Sequence, residues 1–153
     1  MKYTPENITK LEPNQVFIYG ANEAGIHGAG AAKQALKWGA RMGEIGFNGR
    51  TYGIPTKDKD IDTLSLEMIE FYIDRFLSFA KCNPELEFLV TKIGCGLAGY
   101  KETEIGSIFM EKDIPDNVIL PIEFWAVGEI AKDETYWLEK FQTDYPADHF
   151  LKP

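Results

Sequence analysis

The sequence predicts an α/β fold in a single domain spanning residues 1–153. Three observations lead there. A β-rich apolar run runs straight into a glycine-rich stretch and then a helix, at 14–38. A long amphipathic helix is written into 65–81. A second apolar run, 88–93, ends in a second glycine-rich stretch, 94–99. Strands alternating with helices in this way build a largely parallel sheet with helices on its faces.

The elements follow in order. In NQVFIYG, residues 14–20, four consecutive apolar or aromatic residues end at Gly20, the pattern of a buried strand. The small-residue stretch ANEAGIHGAGAA leads into a helix carrying Ala31, Ala35, Leu36 and Trp38, with Gly39 and Gly43 as stop signals. TYGI, 51–54, is a second strand, closed by Pro55, and TKDKDIDT is an exposed loop. From Ser65 to Lys81, Leu66, Ile69, Ile73, Phe76, Leu77 and Ala80 form one apolar stripe. Ser65 is the expected N-cap, and Asn83-Pro84 ends the helix. FLVTKI, 88–93, is the third strand, a helix is expected from Thr103 to Glu111, and NVILP, 117–121, is the fourth strand. IEFWAV continues that strand or starts another, and a final short helix is expected from Asp133 to Phe141. Trp125, Tyr136, Trp137, Phe141, Tyr145 and Phe150 crowd the last thirty positions, where packing over a sheet edge is expected and a dimer or partner surface is the alternative.

Composition narrows the function classes. Apolar residues make up 44% of the chain and charged residues 26%, ordinary values for a globular domain. No apolar run reaches the roughly 20 residues of a membrane span, and MKYTPENITK has no signal-peptide core, so a cytoplasmic protein is expected. The two cysteines, Cys82 and Cys95, form no CxxC pair, and with only His27 and His149 no metal-ligand spacing arises; neither metal nor cofactor is expected. The net charge of −8 argues against a broad nucleic-acid surface, since backbone phosphates are held by Lys and Arg. A small anion is a different matter, because backbone N–H groups attract it whatever the side chains carry.

The two glycine-rich stretches, Gly25–Gly30 and Gly94–Gly99, are therefore the candidate site. In open α/β sheets, ligands bind beyond the carboxyl ends of the strands, where such loops lie. Glycine lets the main chain approach a phosphate closely and adopt positive φ. There is no GxxxxGK[ST], which excludes a P-loop, and Lys33 replaces the third glycine of GxGxxG, which weakens a dinucleotide-binding reading.

In their order and spacing these stretches resemble the macro domain, a family that binds ADP-ribose. The resemblance rests on ENIT at Glu6–Thr9, the strand VFIY, GAN at Gly20–Asn22, HGAGAA at His27–Ala32 and IGCGLAGY at Ile93–Tyr100, and spans roughly residues 6 to 121. It implies a three-layer α/β/α fold with a mixed, largely parallel sheet. It also implies phosphate binding by Gly28, Ala29, Gly30 and Ala31 and by Gly94, Cys95, Gly96, Leu97, Ala98, Gly99 and Tyr100. Asn22 would contact the distal ribose, Asn7 and Ile8 would lie near the base, and His27 near the ribose or phosphates. The implied partners are an ADP-ribose-like nucleotide and an ADP-ribosylated macromolecule.

IGCGL is similar to the terminal ADP-ribose protein glycohydrolase branch of the family, and in YGIPTKD the pair Thr56-Lys57 stands where that branch carries a nucleophilic lysine. Lys57 is accordingly the candidate catalytic residue. Attack needs a partly deprotonated amine, whereas the neighbouring Asp58 and Asp60 favour the ammonium. The carboxylates usual in the family are replaced by Ala32 and Ala98, so ligand binding ranks above glycohydrolysis. A Cys95–His27 nucleophilic pair, and a structural or interaction role such as in a phage or mobile element, are the remaining readings.

Overall fold

The computed structural model describes residues 2–127. Its elements are β1 (Gln15–Asn22), α1 (Gly30–Ala35) continued by a 3-10 turn at Leu36–Trp38, β2 (Gly46–Asn48), β3 (Thr51–Lys57), α2 (Leu66–Lys81), β4 (Glu87–Val90), α3 (Glu102–Met110) and β5 (Val118–Ile119), followed by a helix, α4, at 122–127. One sheet holds all five strands in the order β2-β3-β1-β4-β5. β1 runs parallel to both β3 and β4, and β4 parallel to β5; β2 alone is antiparallel, on β3. The expected α/β fold with a mixed, largely parallel sheet is what forms.

The strands have the composition they do because both faces of the sheet are covered. Side chains alternate along a strand. Val16 and Ile18 of β1 and Phe88 and Val90 of β4 face a core shared with α2 and α3. Phe17, Tyr19 and Leu89 face the other way, into a smaller core with Ala35, Ala40 and the half-buried Trp38. A strand buried on both sides loses its polar alternation, and VFIY is the result.

Helix α2 matches its predicted bounds. Ser65 Oγ accepts from Met68 N at 3.2 Å, and Ile69, Ile73, Phe76, Leu77 and Ala80 are buried. Sixteen residues make a marginal helix in isolation; burying each large side chain stabilises it by about 1.5–3 kcal/mol. Phe76 and Phe79 meet Phe88 edge-on at 5.6 and 5.9 Å between ring centroids.

Three expectations need correction, and one strand was not foreseen. IEFWAV is helical, not a strand: Leu120 and Phe124, four apart, are both fully buried, Phe124 stacks on Phe109 at 5.5 Å, and Phe124 N donates to Pro121 O. The second strand runs through Pro55 to Lys57, because β2 pairs no further than Gly53 and places no residue opposite the ring. FLVTKI leaves the sheet after Val90, where Thr91 N and Oγ1 both donate to Ile18 O. The antiparallel β2 was not anticipated. The helix at 133–141 and most of the aromatic cluster, Tyr136 to Phe150, fall outside the described residues. Among the described residues no helix is long and apolar enough to cross a membrane.

Phe88 sits where β4, α2 and the sheet meet, with no exposed surface. Phe88→Ala is expected to lower the unfolding free energy by about 3–5 kcal/mol in a urea titration. A loss under about 1 kcal/mol would contradict this packing.

Candidate functional site

β1 and β4 are neighbours whose chains leave in opposite directions. From β1 the chain passes to α1 on the Phe17 face; from β4 it passes to α3 on the Ile18 face. Loops that diverge from adjacent parallel strands leave a crevice between them at the carboxyl edge. Here it is a cleft of about 440 Å³, within the range of ligand pockets. Its walls are residues 20–22 and 26 with 28–32 from the first loop, Thr56, Lys57 and Ile61 from the end of β3, and 91–94 with 96–98 from the second loop.

Each wall is fixed by hydrogen bonds. Asn22 closes the first loop with its side-chain amide: Nδ2 donates to Ile26 O at 2.8 Å, and Oδ1 accepts from Ile26 N at 3.0 Å. Gly25 follows at φ 69°, where a Cβ would run into the backbone of Gly43 and Glu44. In the second loop Gly94 has φ 74°, and a Cβ there would lie 2.9 Å from Ile105 Cδ1. Tyr100 closes that loop from N to Gly94 O at 2.9 Å, and its hydroxyl donates to Leu64 O at 2.6 Å. The N–H groups of Gly28, Ala29, Gly30 and Ala31 and of Gly96, Leu97 and Ala98 have no acceptor among the described residues. Most of these residues are exposed.

The charge pattern of the cleft opposes that of the chain. The lining contains Lys57 and Lys92 and no carboxylate. Lys92 is neutralised by Glu102 at 3.3 Å and Glu123 at 3.5 Å, and the hydrogen bond that its ammonium donates to Glu102 raises its pKa. Lys57 has no carboxylate within 4 Å among the described residues. Asp58, its neighbour in sequence, is turned away: its Oδ1 accepts from Asp60 N at 2.9 Å and Asp62 N at 3.0 Å.

Of the residues marked in the sequence, Asn22, Gly28–Ala31, Lys57, Gly94 and Gly96–Ala98 come together in this cleft. Others do not. Asn7 and Ile8 lie in a separate groove with Gln15 and Glu87, which begin β1 and β4. That is the opposite end of β1, whose eight residues span roughly 25 Å. Ile8 is buried there, and its carbonyl accepts from Gln34 Nε2 at 2.6 Å. Gly99 and Tyr100 close the second loop without lining the cleft.

His27 also lies outside the lining of the cleft. It is 3% exposed, its side chain is buried, and its Nε2 is 2.9 Å from the hydroxyl of Tyr19, whose pKa burial pushes up to about 12. Cys95 packs against the α2–α3 core on the other face of the sheet. Burial and the nearby Glu102 push its thiol up to about 11. The two face away from each other across the sheet, so no Cys–His nucleophilic pair forms.

Ala32 and Thr56, noted in the sequence without a binding role, also line the cleft, and sequence reading assigned no site role to Gly20, Ala21, Ile26, Ile61, Thr91, Lys92 and Ile93. A signal for Lys92 existed: the dipeptide Thr-Lys ends β3 as Thr56-Lys57 and follows β4 as Thr91-Lys92. Among the described residues no group of His, Cys, Asp and Glu is arranged to hold a metal ion. No family model, curated protein or solved structure matches this chain.

At pH 8 a thiol titrating near 11 is ionised in only about one molecule in a thousand. Cys95 is therefore expected to alkylate far more slowly than the exposed Cys82 with iodoacetamide, followed by mass spectrometry. Equal rates, or faster labelling of Cys95, would contradict its placement.

Proposed function

We propose that this cleft binds ADP-ribose or a related nucleotide diphosphate, in the manner of the macro domain that the sequence resembles. The observation that carries the proposal is a cleft lined by no carboxylate and by one lysine, Lys57, that no carboxylate neutralises among the described residues, in a chain of net charge −8. In such a surround a phosphate avoids the repulsion it meets elsewhere on the protein. The first and second loops both line the cleft and carry free N–H groups, which would be the donors for the two phosphates. Lys57 supplies the balancing charge. The structure of the first loop leaves Asn22 holding the loop, and any ribose contact would use the lone pair and hydrogen that the amide has left.

The same geometry supports recognition of an ADP-ribosylated macromolecule, whose attached nucleotide would enter the open side. A second reading, hydrolysis of an ADP-ribosyl ester by attack of Lys57, is favoured by one observation: Lys57 reaches the cleft without a carboxylate partner among the described residues. Against it, Ala32 and Ala98 both line the cleft, and a methyl group can neither activate water nor orient a base.

Calorimetry with ADP-ribose tests the proposal. Wild type is expected to bind, Lys57→Ala to bind about tenfold more weakly, and Lys57→Arg to bind nearly as wild type, since a charge-assisted hydrogen bond is what is lost. No heat and no rise in Tm at millimolar ADP-ribose would overturn binding, because a ligand of the folded state alone must stabilise it. Turnover of an ADP-ribosyl ester by wild type that survives Lys57→Arg would exclude the nucleophilic role.

A further inference from the structure

Ile61 is the one non-glycine among the described residues with positive φ, 67°. A β-branched side chain is a genuine outlier there. The conformation is imposed by a tight turn. Asp58 N donates to Asp62 O at 2.8 Å, Ile61 N donates to Asp58 O at 3.1 Å, and the Asp58 carboxylate accepts from Asp60 N and Asp62 N. Lys57 and Thr63 then pair across the base of the turn. The fold draws no burial from this arrangement, for Ile61 remains 42% exposed on the cleft wall. Strain that the core does not use tends to mark a ligand contact.

Two other large aliphatic side chains are exposed on the same cleft, Ile26 at 48% and Leu97 at 77%. They are not on loose chain. Thr63 Oγ1 donates to Ala98 O at 3.0 Å, joining the Ile61 turn to the loop of Leu97. Ile26 is gripped from the other side by Asn22. The cleft thus presents anion donors at its glycine loops and aliphatic surface at its rim. A bare phosphate uses only the first, and exposed apolar surface that a ligand covers adds affinity in proportion to its area.

We infer that Ile61, with Ile26 and Leu97, forms an apolar subsite that grips the aromatic base of the bound nucleotide and makes Ile61 a specificity-determining residue. This rests on the nucleotide-diphosphate reading of the cleft. It places the base against the turn after β3 rather than near Asn7, which lies in the separate groove.

Ile61→Gly tests it, because glycine adopts this φ freely and the variant should fold. Tm is expected to equal or exceed that of wild type. By calorimetry the variant should bind ADP-ribose about tenfold more weakly, while inorganic pyrophosphate binds both proteins within twofold. Unchanged ADP-ribose affinity in a folded Ile61→Gly overturns the subsite and leaves the anion site standing. An equal loss for pyrophosphate also overturns it, since the turn would then serve the phosphates. Tighter binding of geranyl diphosphate than of ADP-ribose to wild type would assign the rim to an alkyl chain instead. Absence of heat from wild type with both ADP-ribose and pyrophosphate overturns this inference together with the reading beneath it.

Discussion

The parallel pairing of β1 with β4 is the constraint on which the rest of the structure depends. The two strands share a register from Gln15↔Glu87 to Ile18↔Val90, and both are buried on both faces. A strand in that position must send its chain onward to one face or the other. β1 sends it to α1 and β4 to α3, on opposite sides. The cleft is the space left by that divergence, so the site follows from topology before any side chain is considered.

What the side chains add is rigidity and sign. The loops are tied by Asn22, by Tyr100 and by Thr63, so the residues that carry the unpaired N–H groups are held along the cleft without depending on a ligand to order them. Preorganised donors lose little on binding. The sign comes from what is missing as much as from Lys57. The chain as a whole is acidic; here small residues line the walls, and Asp58 spends its carboxylate on its own turn. The Asp-rich loop, which in sequence looks hostile to an anion, is folded so that the Asp58 carboxylate accepts from its own turn and Ile61 lines the cleft.

Much of this was legible in the residues. VFIY announces a strand covered on both faces, and the stripe of α2 announces its own bounds, because periodic burial is written directly into sequence. The two glycine loops were legible for a similar reason: positive φ at Gly25 and Gly94 is cheap only for glycine. Other features were not local. The three residues of β2 form a strand only because β3 offers an edge, and 122–127 becomes a helix because Phe124 finds Phe109. Asn7, His27 and Cys95 lie outside the lining of the cleft, since adjacency in a motif says nothing about which end or face of the sheet a residue reaches. Ile61 carried no signal at all, as nothing in an isoleucine foretells a left-handed backbone.

The central claim is that an anion sits between the loops that diverge from β1 and β4. Amide chemical shifts followed through a titration with inorganic pyrophosphate test it most directly. The account predicts the largest shifts at Gly28–Ala31 and Gly96–Ala98, with Ile8 and Thr9 unmoved. Shifts concentrated at Asn7–Lys10, or none at either glycine loop, would contradict it.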